Sequence, residues 1–89
     1  MAQDWFVQFI ERSEQVSVQA EHSLLMALTW GEMAKNVLVI TSVNSRCEQY
    51  NVSLHDWTSG ILELHASGWI ASVELDPLRT RLVLAAPRP

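Results

Sequence analysis

Three histidines, His22, His55 and His65, and one thiol, Cys47, are the side chains best equipped for proton transfer, nucleophilic attack or metal binding. A thiol beside an imidazole would be an activated nucleophile. Two imidazoles at the right spacing would ligate zinc. The spacing supports neither. His55 and His65 are ten residues apart on one helical stretch, which turns them about 80° from each other and separates them by about 15 Å along the axis. They cannot share a metal. With a single cysteine there is no internal disulfide and no thiolate metal site, and a lone Cys is commonly a small buried hydrophobe. Gly31, Gly60 and Gly68 are isolated, so no glycine-rich phosphate loop exists. The expectation is a protein that is not an enzyme and has no cofactor, no metal and no small-molecule substrate.

A different chemistry is available to His55, Thr58 and Ser59, which recur within one helical stretch beside Asp56 and Glu63. Their neutral donors and acceptors suit the edges of bases, whereas the two carboxylates repel phosphate. As a solvated helix face with Asp56 as a cap, the same residues need no ligand. Arg79 and Arg81 sit at or beside the tip of a hairpin, and Arg46, Lys35 and Arg88 are the other cations of that half. They are candidate phosphate contacts or plain surface charges. A second kind of site is offered by Trp5, Phe6, Phe9 and Ile10, which recur at helical spacing near the start of the chain. Such residues build either a core or an apolar patch for a partner protein. Trp57 lies in the middle of an apolar ladder and reads as core.

Composition bounds these options. The chain has 89 residues, enough for one domain, with 48% hydrophobic and 18% charged residues. Four Trp in this length is unusual, and a small body has limited room for them. No signal peptide or membrane span is legible, so the expectation is a cytoplasmic protein. The net charge is −4. Residues 1–34 hold Asp4, Glu11, Glu14, Glu21 and Glu32 against Arg12 alone, while residues 35–89 carry five acidic and five basic side chains. A generic nucleic-acid binder shows the opposite bias.

The elements that must position these residues follow from periodicity. The spacing predicts helices near 4–14, 19–31, 43–50 and 54–67, with Asp4, Ser17, Ser42 and Ser53 as caps. Asp56, three residues after Ser53, suggests a capping box. Gly31 and Gly68 stop helices, and Asn51 suits a tight turn. Val37–Ile40 reads as a short strand. After Gly68 the period changes to 2, predicting a hairpin over 70–85 with its loop near Pro77–Thr80. The tail Pro87-Arg88-Pro89 is expected to fray.

This order resembles the winged helix-turn-helix superfamily, in particular the small domains of phage and plasmid replication initiators and MarR- or GntR-like regulators. The resemblance covers residues 19–85 and is carried by Cys47-Glu-Gln-Tyr-Asn-Val-Ser53, the ladder Trp57, Ile61 and Leu64, and Gly68-Trp-Ile70. Asn51 stands where these families usually have Gly, Arg46 where they usually have Leu, and the recognition helix carries no Lys or Arg. The resemblance implies an α+β fold: one winged helix-turn-helix domain over 1–89, with an extra N-terminal helix at 4–14, a core at 19–85, a C-terminal hairpin wing and a tail at 86–89. It implies a DNA-binding transcription regulator or replication accessory factor that contacts double-stranded DNA through Arg46, His55, Thr58, Ser59, Arg79 and Arg81. The alternative is an adaptor or inhibitor that binds a partner protein through Trp5, Phe6, Phe9 and Ile10. The surplus of aromatics further suggests a homodimer joined by the N-terminal helix.

Overall fold

The computed structural model describes residues 2–12 and 16–85. It is a mixed α+β fold of four helices and one four-stranded antiparallel sheet. Helix α1 spans Ala2–Glu11, α2 Val18–Trp30, α3 Val43–Gln49 and α4 Leu54–Ala66. Strands β1 (Glu32–Ala34), β2 (Val37–Thr41), β3 (Ile70–Glu74) and β4 (Arg79–Leu84) lie in the order β1-β2-β4-β3.

Two serines start the long helices as their positions predict. Ser17 accepts from the Ala20 N–H at 3.1 Å, and Ser53 from the Asp56 N–H at 3.2 Å. The capping box is only half formed, because the Asp56 carboxylate lies 3.5 Å from His55 Nδ1 instead. Asp4 lies inside α1, since that helix begins at Ala2, and does not precede it as a cap. Ser42 is not a side-chain cap either: it adopts a left-handed conformation and makes no capping bond. Residues 13–14 of the expected first helix and the 86–89 tail lie outside the described residues.

Helices α3 and α4 end in the same way. Asn51 (φ 56°) and Gly68 (φ 85°) take the left-handed position after each helix. Val52 N–H then reaches back to the Cys47 carbonyl at 2.8 Å, and Trp69 N–H to the Leu64 carbonyl at 2.9 Å. These are Schellman closures, and they satisfy carbonyls that the helix ends leave open. Gly31 works differently. Its backbone is extended, and a Cβ there would lie 2.7 Å from Leu38 Cδ1 and 2.9 Å from the Val39 carbonyl. Glycine is needed for close passage of the chain, not for a left-handed cap.

Strand β1 is absent from the sequence expectations. Its three residues are all exposed, and Glu-Met-Ala carries no strand signature. It forms because Lys35 takes a positive φ, folding Glu32–Ala34 back onto Val37–Val39. Strand β2 pairs with β4, and β4 with β3, with a bulge between Ile70 and Ser72.

The core lies between the sheet and the three helices α2, α3 and α4. Leu24, Ile40, Ile61, Leu64, Leu82 and Leu84 are buried there. Trp57 is also buried, and its Nε1–H donates to the Ser23 carbonyl at 3.1 Å. Helices α2 and α4 approach closely where Gly60 meets Ser23; a Cβ on Gly60 would collide with the Ser23 hydroxyl. Trp30 packs edge-on against Tyr50 and tilted against Trp57, with no hydrogen-bond partner for its buried Nε1.

Helix α1 joins the same core through Trp5 and Phe9. Trp5 stacks on Phe9 at 5.5 Å, and both meet the Trp69 ring edge-on at 5.8 and 5.3 Å. Trp5 Nε1–H donates to the Trp69 carbonyl at 2.8 Å.

Candidate nucleic-acid interface

The hairpin loop between β3 and β4 is built by Asp76. Its Oδ1 accepts the backbone N–H of Leu78 at 2.9 Å and of Arg79 at 3.4 Å. Its carbonyl accepts from the Thr80 hydroxyl at 3.1 Å. The Ser42 N–H then donates to the Leu78 carbonyl at 3.0 Å. That bond ties the loop to the residue preceding α3. Because α4 follows α3 by one tight turn, the hairpin loop and the α3–α4 pair share one pole of the molecule.

Two arginines 33 positions apart converge here. Arg79 pairs across the sheet with Thr41, and Arg46 donates its Nε–H to the Thr41 carbonyl at 2.9 Å. Arg79 is exposed and Arg46 half-buried. Holding Arg46 through Nε leaves its terminal nitrogens to donate elsewhere. Arg81 sits two residues along β4 and faces Glu74 across the hairpin, with Nη1 3.4 Å from Oε1. Its charge is therefore offset locally, although an exposed pair of this kind holds weakly.

The α4 residues divide. His55 and Ser59 are exposed, with the His55 side chain 89% accessible, and Thr58 is half-buried. Thr58 lines a cleft of about 140 Å³ with Val43, Leu54, Leu75 and Pro77. Asn44 and Ser45, at the start of α3, are exposed at the same pole and escaped the sequence reading. The bond between Ser42 and the hairpin loop, and the cleft that Val43 and Asn44 line with Leu75 and Pro77, show that the α3 start belongs there.

Glu63 has a role that sequence reasoning missed. Its carboxylate accepts the Ser17 hydroxyl at 2.6 Å and the Ser17 N–H at 2.8 Å. The hydroxyl bond, and secondarily the backbone bond, hold its pKa below the ordinary carboxylate range. One of the two α4 carboxylates expected to oppose phosphate is thus turned toward the start of α2.

The expected partner-binding quartet is corrected in part. Trp5 and Phe9 do not face outward; they are 2% and 6% exposed, because Trp69 supplies a third ring and a carbonyl for the Trp5 indole. Ile10 is exposed, and the Phe6 side chain lies outside the described residues. The aromatic surplus that motivated a dimer is thus largely absorbed within one chain.

No family model, curated protein or solved structure matches this chain.

Other chemistry is limited. Burial pushes the Cys47 thiol above its ordinary pKa, which disfavours the thiolate. Among the described residues no three His, Cys, Asp or Glu side chains are grouped to hold a metal. Among them, too, no helix is long and apolar enough to cross a membrane. A second, open cleft of about 470 Å³ runs beside α2, lined by Gln19, His22, Met26, Val52 and Asp56. It is crossed by the bond from Gln19 Nε2 to the Asp56 carbonyl, at 2.6 Å.

Proposed function

We propose that the chain is a winged helix-turn-helix domain that binds double-stranded DNA, as a transcription regulator or replication accessory factor. In this reading α3 and α4 are the helix-turn-helix, α4 enters the major groove, and the β3–β4 hairpin is the wing. The element order and the strand order β1-β2-β4-β3 support it. The observation that carries it is the convergence of Arg46 and Arg79 on Thr41, at the pole where the wing loop meets the start of α3. Exposed neutral groups, Asn44, Ser45, His55 and Ser59, belong to the α3 and α4 ends of that pole. Residues 35–89 carry five acidic and five basic side chains, but the stretch from α3 through the wing holds Glu48, Asp56, Glu63, Glu74 and Asp76 against Arg46, Arg79 and Arg81.

Phosphate attraction must then come from few cations, and the affinity must be modest and sensitive to salt. The test is a fluorescence-anisotropy titration of mixed duplex DNA at several salt concentrations. Arg46→Ala with Arg79→Ala should weaken binding to every sequence and lower the salt slope by roughly two. His55→Ala or Ser59→Ala should instead alter preference among sequences. Absence of wild-type binding at low salt would discard this reading. The adaptor reading draws on a different surface, the outer side of α1.

A further inference from the structure

The tip of the β3–β4 hairpin carries an apolar side chain where a surface turn ordinarily carries a polar one. Leu78 is 77% exposed, more than any other large apolar residue among those described. Pro77 beside it is exposed too. The loop fixes this leucine from both sides. The Leu78 N–H donates to Asp76 Oδ1 at 2.9 Å, and its carbonyl accepts the Ser42 N–H at 3.0 Å. At the base of the loop the buried Thr80 donates its hydroxyl to the Asp76 carbonyl. Ser42 holds a left-handed φ of 54° with no capping bond, so backbone strain is accepted at the residue that ties the loop to α3.

Charge around the tip is sorted. Glu74 faces Arg81, and Asp76 Oδ1 accepts the N–H groups of Leu78 and Arg79. Arg79, next to Leu78 in the chain, is exposed and pairs with no carboxylate among the described residues. Arg46 reaches the same strand end, held at the carbonyl of Thr41 opposite Arg79. A protruding apolar group backed by two arginines fits a ligand that is apolar within and anionic at its rim. Stacked bases between two phosphate strands meet that description. An anionic bilayer does as well, but α4 begins across a cleft from Leu75 and Pro77, and its exposed His55 and Ser59 match base edges rather than lipid. We propose that Leu78 is a wedge: it enters the minor groove beside the major groove that receives α4, partly unstacks one base step and bends the duplex. The inference rests on the DNA reading above and adds a class of target to it, duplexes with a flexible pyrimidine–purine step under the wing. Arg46 and Arg79 hold the phosphates beside that step.

The probes are two end-labelled duplexes of about 20 base pairs and equal G·C content, each with 2-aminopurine at its centre. One has a central TA step and the other has no pyrimidine–purine step. Energy transfer between the ends reports bending, and 2-aminopurine emission reports unstacking. The wild-type chain should raise both on the TA duplex, with a kink of roughly 20–90°, and should bind it several-fold tighter than the stiff one. Leu78→Ala should remove the bend, the emission rise and the preference, whereas Leu78→Met should keep them. Arg79→Ala should weaken both duplexes alike. Leu78 is exposed, and an unchanged thermal melt would show that its variants are folded. Wild-type binding with no bend, or a bend that persists in Leu78→Ala, would overturn the wedge and leave the DNA reading in place. No binding of either duplex at low salt would remove both. Vesicles of phosphatidylglycerol and phosphatidylcholine complete the set. Sedimentation with them that Leu78→Ala abolishes, with duplex bending untouched, would assign the tip to a membrane surface and overturn the wedge.

Discussion

Trp30 and Trp57 pack against each other, yet their indole N–H groups have opposite fates. Trp57 donates to the Ser23 carbonyl, while the buried Trp30 Nε1 has no partner. Leaving a buried donor unmade carries a desolvation cost of about 1–3 kcal/mol, whereas a made bond contributes about 1 kcal/mol net. Trp30→Phe should therefore be tolerated, with a change within about 1 kcal/mol in a denaturant melt, and Trp57→Phe should cost about 1 kcal/mol more. Trp57→Ala, which also leaves a cavity, should cost about 3–5 kcal/mol and approach the whole stability of so small a domain. Glu63 gives the residue scale a pH signature. Its folded-state pKa is depressed by Ser17, so its contribution is present above the unfolded value and is lost as pH falls through the folded one. Wild type should exceed Glu63→Gln in melting temperature near pH 6, and the gap should close as pH falls below about 4. A gap that stays constant down to pH 3 would show that the Ser17 contact does not stabilise the fold.

At the scale of elements, the α3–α4 turn depends on one backbone conformation. Asn51 holds a left-handed φ of 56° between the two helices, a conformation that costs most L residues about 1–2 kcal/mol. Asn51→Gly should be neutral or slightly stabilising, while Asn51→Val should destabilise by at least that amount because a β-branched side chain resists the conformation. Equal melting of the two variants would mean that the turn can relax. The α2–α4 crossing has a comparable constraint at Gly60, whose open position admits the Ser23 side chain. The periodicity of Trp57, Ile61 and Leu64 identifies the inward face of α4, and the turn chemistry of Asn51 and Gly68 its limits. Periodicity is silent on the contact between Gly60 and Ser23, because a close approach is a property of two helices.

For the whole molecule, charge is divided by segment. Residues 1–34 hold five acids against one arginine, and the segment from α3 to the wing holds five acids against three arginines. Within that half, Glu74 is the acid facing Arg81. If the wing contacts phosphate, Glu74→Gln should strengthen duplex binding several-fold, and Arg81→Ala should weaken it less than Arg79→Ala. The reverse order in the same anisotropy titration would show that the hairpin pair, not the corner at Thr41, is the contact. Such an exposed pair is worth at most about 1 kcal/mol, which sets the expected size of the effect.

Local rules determine much of this protein from sequence alone. Helix starts at Ser17 and Ser53, left-handed exits at Asn51 and Gly68, and the change of period after Gly68 depend on side chains and backbone within one turn of each other. The helices, the hairpin and the core position of Trp57 follow from them. Other features were decided only by tertiary structure. Trp5 and Phe9 could be core or patch until Trp69, 64 positions from Trp5, supplied a ring and a carbonyl. Glu63 could be a solvated acid until Ser17 arrived 46 positions away. Strand β1 exists because Val37–Val39 already lies in the sheet and lends pairing to a segment with little strand preference of its own. In each case the deciding partner is distant in the chain, and its proximity is created by burial of the common core rather than by any local pattern of residues.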